Sequence, residues 1–513
     1  DGQPNLWGYF EALENHALEY LLNTGMKPPL MYFLHMLLAK IIGTKIIFAN
    51  NILLISVIIL DFISFFIIFY ILRVTKVPFI ICNVIILFYG FYQIPLEFWR
   101  AGTHYDSYSL FFNIIFALSI TFFFKKQNWV NSLAISISGC LLILYGSVYI
   151  LVVPISIIFC ILCTMTKNFK FIRFFKISCL LLLLPIITGT SLCYKNYIYR
   201  NVFAPSTFGG VALMLTTMRT VDRNIIEGNK IVDNSSAPKW YKWCWNNADK
   251  FLPRGLEKDY VAKVNNKVFG QCLKSIPFKD SLNSINDAHL SHLNNKEFWP
   301  YDMLELQEHF STNNFLKPLN AVNKDIDMMK NKKYLIWGMS PELSLHWTDL
   351  YGKEGGKIFW EDFSKNPSKY FLTFVTLFKE FTVDGSQFPL VLSKANARGG
   401  IYKDKFSNKY FTESLRFVGN VFQLSMLITL LSLIYLFIKL LIYVSSKKTN
   451  LFNQNHLKSI VFGVPAILIT IIYSIIVGEE NMRYLIYATP YFIISFAYLL
   501  PNKTKKTETL LNV

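Results

Sequence analysis

Nine apolar runs, each close to the length that crosses a bilayer, decide what this chain can fold into. A helix needs about 20 residues to traverse the hydrocarbon layer. On that basis the sequence predicts spans near 48–72, 77–96, 107–124, 131–146, 148–166, 174–194, 415–444, 459–477 and 483–500. The runs are continuous rather than alternating, which excludes a β-barrel. With 53% hydrophobic and 16% aromatic residues over 513 positions, the fold class is mainly α. The expectation is a polytopic α-helical membrane protein, not one large soluble core.

The short basic connections alternate. They carry Arg73 and Lys76; Lys125 and Lys126; Lys167, Lys170, Arg173 and Lys176; Lys447, Lys448 and Lys458; and Lys503, Lys505 and Lys506. The positive-inside rule makes these loops cytoplasmic. Residues 1–47 then form a first extracytoplasmic loop, 48–194 a transmembrane bundle, 195–412 a large extracytoplasmic domain, 413–500 the C-terminal spans and 501–513 a cytoplasmic tail. The net charge of +18 follows in large part from these membrane-flanking lysines, which favour anionic headgroups. Nucleic acid is not an expected partner; membrane lipids are. Nine spans with a cytoplasmic tail also require an external start, so one further span is expected before Asp1.

Within residues 1–47, Trp7, Phe10, Leu13, Ala17 and Leu21 keep helical spacing, as an amphipathic surface helix would. The Lys27-Pro28-Pro29 step breaks that helix. Proline is tolerated in a first turn, so a second helix is expected from Leu30 to Ile42, too short to span and interfacial. Only Tyr145-Gly146-Ser147 separates two of the spans, which predicts a tight helical hairpin. Six cysteines fall in or beside apolar runs and read as small buried hydrophobes. Cys244 and Cys272 lie in 195–412, where an oxidising compartment would allow a disulfide and the spacing alone does not decide it. Tryptophans including Trp240, Trp299, Trp347 and Trp360 read as small-core residues or interfacial anchors.

Three features on the outer face carry possible chemistry. One is the acidic N-terminal segment with Asp1, Glu11 and Glu14, followed by Lys27. The second is Trp99-Arg100-Ala101-Gly102-Thr103-His104-Tyr105-Asp106. The third is Glu479-Glu480-Asn481-Met482-Arg483-Tyr484. Each has a plainer reading: a solvated helix face for the glutamates, a helix N-cap for Asp106, snorkelling to headgroups for Lys27, Arg100 and Arg483, and polar surface for His104. Asp61, deep in a span, is either a coupling site or a structural hydrogen-bonding group.

In order and sidedness, Lys27-Pro28-Pro29-Leu30-Met31-Tyr32, Asp106 opening a span, Arg200-Asn201 before Ser206-Thr207-Phe208-Gly209-Gly210, and Glu480-x-x-Arg483-Tyr484 ahead of Pro490 resemble the GT-C membrane glycosyltransferases. The likeness is to the branch of protein O-mannosyltransferases and lipid A aminoarabinose transferases, and it fades across 215–340. The resemblance implies transfer of a sugar, with inversion, from a polyprenyl-phosphate donor to a lipid A, surface-polysaccharide or protein acceptor. The expected place is the outer face of a bacterial inner (plasma) membrane. It implies Asp1 or Asp106 as the catalytic acid–base group. Lys27, Arg100, His104, Glu480, Arg483 and Tyr484 would bind substrate; that no metal and no cofactor take part is a separate expectation. The rival readings are a secondary transporter using Asp61 and a non-catalytic envelope assembly protein. Against the first, no internal repeat is visible in the sequence.

Overall fold

A computed structural model describes residues 28–43, 46–100, 105–165, 171–200, 202–206, 359–365, 367–382, 454–476 and 481–500, with scattered positions elsewhere; at 91–100, 105–107 and 481–486 it describes the backbone alone. About 90% of the described residues are helical, and none of them lies in a strand. In chain order the helices are α1 (Leu30–Ile42), α2 (Ile46–Val74), α3 (Phe79–Arg100), α4 (Tyr105–Lys125), α5 (Trp129–Tyr145), α6 (Tyr149–Met165), α7 (Phe171–Arg200), α8 (Pro367–Thr382), α9 (Gln454–Ile476) and α10 (Asn481–Leu499). Among the described residues four stretches are long and apolar enough to cross a membrane: Ile55–Val74, Tyr108–Lys125, Lys176–Ile198 and Asn455–Tyr473. The chain forms two compact units. One comprises Asp1–Asn50, Ser191–Val375 and Ile475–Glu479; the other Asn51–Thr190, Thr376–Ser474 and Glu480–Val513.

In the first unit, α1 begins where the two prolines allow it, with Pro29 at the N-cap and its carbonyl accepting from the Phe33 amide at 3.0 Å. It ends at Gly43, whose φ of 66° is the left-handed conformation that glycine adopts without a Cβ clash. Its 13 residues cover only about 20 Å, less than a bilayer. Phe33, Leu37 and Ile41 stand exposed at four-residue spacing, as on an interfacial helix. Around the start of α8, Phe359, Phe363 and Tyr370 pack edge and face, with the Tyr370 hydroxyl donating to Asp362 Oδ2 at 2.5 Å. Trp360 points outward there at 61% exposure, which suits an anchor better than a core residue.

The second unit is the helical bundle. Along α2 the protein-facing stripe is Val57, Asp61, Ser64, Ile68 and Leu72, while Ile55, Ile59, Phe62, Phe66 and Tyr70 face outward. An exposed apolar stripe of this length fits a hydrocarbon surround rather than water. Asp61 is half-buried on the inward stripe, so its carboxyl faces protein. An inward carboxyl fits both readings of this residue, a coupling site and a structural hydrogen-bonding group.

Polar side chains inside the apolar helices are mostly satisfied on their own helix. Ser64, Ser119, Thr121, Ser138, Ser156 and Thr470 each donate to the carbonyl four residues back, at 2.6–2.9 Å. The hairpin forms as expected, with Gly146 N–H bonded to the Leu142 carbonyl at 2.8 Å as α5 ends. Its helices approach closely because Gly139 has no side chain. A Cβ there would meet Val153 Cγ1 at 2.7 Å.

Three helix boundaries differ clearly from the sequence expectation. The segment Glu97–Arg100, read as loop, is the last turn of α3, and Asn481–Tyr484 is the first turn of α10. Helix α7 likewise continues to Arg200, beyond the apolar run ending at 194. Hydropathy reports where the surroundings are apolar. Helix formation continues until something breaks it, here the turn before Pro205 in which Asn196 Nδ2 donates to the Ala204 carbonyl at 2.7 Å. Most of 415–444 and most of 195–412 lie outside the described residues.

Candidate functional site

The bundle has two chemically different ends. At one, Tyr70 of α2 packs on Phe122 of α4, and Phe124 packs on Phe462 of α9, which stacks on Tyr498 of α10. Lys458 Nζ lies 5.8 Å from the Phe124 ring centroid and 5.6 Å from that of Tyr498. Ser459 and Ser495 clamp α9 to α10 reciprocally, each hydroxyl donating to the other's carbonyl at 2.8–2.9 Å. This end therefore gathers the C-termini of α2, α4 and α10 and the N-terminus of α9. Arg73, Lys125 and Lys458 all belong to it, as their placement on one side in sequence predicts.

At the other end, α4 and α10 start together. They run parallel, because the Tyr491 hydroxyl donates to Asn113 Oδ1 at 3.1 Å while Phe124 and Tyr498 share Phe462 farther along. Counting back from that hydrogen bond at 1.5 Å per residue, Asp106 lies about 10 Å and Arg483 about 12 Å toward the helix starts. The two residues are thus at nearly the same level. Helix α3 packs on both α4 and α10 and ends at Arg100, five residues before Tyr105. Arg100, Asp106, Arg483 and Tyr484 therefore sit on helical turns at one end of the bundle.

This end also collects the positive poles of two parallel helix dipoles, α4 and α10. Asp106, second residue of α4, falls inside the first turn, where a carboxylate is favoured by the dipole. Asp1, Lys27, His104 and Glu480 lie outside the described residues. So does Asp325-Ile326-Asp327, an Asp-x-Asp pair within 195–412 of the kind that binds divalent cations, so the expectation of no metal draws no support from the sequence. Among the described residues no three His, Cys, Asp or Glu groups are placed to hold a metal.

The structure adds residues that the sequence reading does not single out. Below the helix starts, Asn113 is wholly buried, with Ser109 on its own helix and Tyr149 of α6 beside it. Its Nδ2 donates to the Ser109 carbonyl at 2.7 Å and to the Tyr149 hydroxyl at 2.5 Å. The Tyr149 hydroxyl in turn lies 3.1 Å from Ser109 Oγ. The sequence signal for this site was an amide in the middle of an apolar run. Comparisons with protein-family models, with curated proteins and with solved structures found no match for this chain.

Proposed function

We propose that the chain is a GT-C type membrane glycosyltransferase that moves a sugar from a polyprenyl-phosphate donor to a lipid, polysaccharide or protein acceptor at the outer face of the inner membrane. The observation that carries the reading is the convergence of the helix ends bearing Arg100, Asp106 and Arg483. A phosphate-linked lipid donor calls for cations at its phosphate and a carboxylate at the acceptor, beside apolar surface for the tail. The parallel starts of α4 and α10 add partial positive charge where the phosphate would lie.

In this mechanism Asp106 takes the proton from the acceptor group as its oxygen or nitrogen attacks the anomeric carbon. The bond from that carbon to the phosphate oxygen breaks on the opposite face, giving inversion and releasing polyprenyl phosphate. Arg100 and Arg483 hold the charge that develops on the leaving group. Arginine's planar fork can engage two phosphate oxygens at once, which a lysine cannot. His104, Glu480 and Tyr484 orient the substrates beside them.

Membranes with and without the chain, supplied with polyprenyl-phosphate sugars labelled in the sugar, test the reading. Label should pass into one fraction, lipid, polysaccharide or protein, only where the chain is present, and that fraction identifies the acceptor. Absence of transfer from every such donor would remove the glycosyltransferase reading and leave Asp61 as the lead for a transporter.

A further inference from the structure

The buried serines and threonines that bond their own helix say nothing about how two helices align. Asn113 does the opposite. Its amide has two N–H donors and one acceptor oxygen, and all three are used on three different helices. The Ser109 carbonyl can only accept, so the nitrogen must face it. That leaves Oδ1 for the Tyr491 hydroxyl of α10, while the second N–H reaches Tyr149 on the first residue of α6. The Tyr149 proton can then go to Ser109 Oγ. Every member of the cluster is buried, with Asn113, Tyr149 and Tyr491 at 0% exposure.

Apolar ridges can repack after one helix slides along another, because dispersion contacts have little direction. Amide hydrogen bonds cannot. Sliding α10 by one turn, about 5.4 Å, would break the bond to Asn113 and strand polar groups in an apolar interior. The same slide would move Arg483 by a full turn relative to Asp106.

We propose that Asn113 is a positioning residue: through Tyr149 and Tyr491 it fixes the axial register of α4 against α6 and α10, and so the level at which Asp106 meets Arg483. The consequence for catalysis rests on the glycosyltransferase reading; the register itself does not.

The decisive variant replaces the whole cluster with apolar groups: Asn113→Leu, Tyr149→Phe and Tyr491→Phe together. Removing all partners leaves no unsatisfied group, and such replacements are often neutral for stability. Ser109 can turn to the carbonyl four residues back, as the other serines do. Spin labels at Tyr105→Cys and Met482→Cys, in full chain whose native cysteines are replaced, read the register by pulsed dipolar resonance. The parent should give one narrow distance. The triple variant, with a melting temperature near the parent's, should give a broadened or shifted one, and sugar transfer at least ten-fold slower. A parent-like narrow distance in the stable triple variant overturns the proposal whatever the activity. If the parent transfers no sugar, the broadened distance still upholds the register role while the enzymatic reading fails. Tyr491→Phe alone, which leaves the Tyr149 bond in place, should broaden the distance less, and equal broadening by the single and triple variants would count against a shared network.

Discussion

The two ends of the bundle differ in where their charged residues sit. At the basic end, Lys458 lies over the rings of Phe124 and Tyr498, and Arg73 bonds the Val77 carbonyl at 2.9 Å while facing Phe79. Those charges are held by a backbone carbonyl and by aromatic faces. At the other end, Arg100 and Arg483 sit on helix ends with an aspartate at the same level, above a buried hydrogen-bonded cluster. Orientation requires cations at one end only. Snorkelling to headgroups is one explanation for the arginines of the opposite end, and the proposed anionic substrate is another.

The comparison breaks most visibly at Asp106. Asp106→Asn should lower turnover at saturating donor by about 100-fold to 10,000-fold, the usual contribution of a positioned acid or base. Its KM should change far less, since the carboxylate acts on the proton in flight and not on the donor's charge.

Arg483→Ala should act the other way, raising KM for the donor by roughly ten-fold to a hundred-fold as a charge-assisted hydrogen bond is lost. Arg483→Lys should recover part of this and no more, because a point charge lacks the fork. Steady-state kinetics with varied donor separates the two patterns. Equal effects from Ala and Lys would show that the guanidinium shape is what matters.

A purely packing-based effect comes next in size. Gly139→Ala, which drives a Cβ into Val153 at 2.7 Å, should destabilise the chain by about 1–3 kcal/mol because β-branched valine has little room to turn. Unfolding in detergent reads this directly. The smallest effect belongs to the basic end: Ser495→Ala should cost about 0.6 kcal/mol, the average for an interhelical hydrogen bond in a membrane protein, and leave transfer kinetics alone.

Much of this fold is legible in the sequence because lipid imposes a simple rule. Apolar runs near 20 residues became α2 to α7, α9 and α10, and Pro28-Pro29 and Gly43 bounded α1 where their backbone preferences put the breaks. Tyr145-Gly146-Ser147 gave the hairpin for the same local reason. Helix ends were less legible: Glu97–Arg100 and Asn481–Tyr484 are polar enough to read as loop, yet no residue there stops the helix. The site was legible in part. Charged residues at span ends mark themselves, so Arg100, Asp106 and Arg483 could be named, but their common level depends on how α4 and α10 align. That alignment comes from Asn113 and Tyr491, 378 positions apart, and no local pattern reports it.

The claim that one end is catalytic and the other only orients the bundle is tested most directly by one assay on two variants. Purified full chain, Asp106→Asn and Lys458→Ala are each given a polyprenyl-phosphate sugar and the acceptor identified in membranes, and initial rates of transfer are compared. The account predicts a rate near the parent's for Lys458→Ala and a loss of at least about 100-fold for Asp106→Asn. Parent-level transfer by folded Asp106→Asn, or a comparable loss in folded Lys458→Ala, would contradict it.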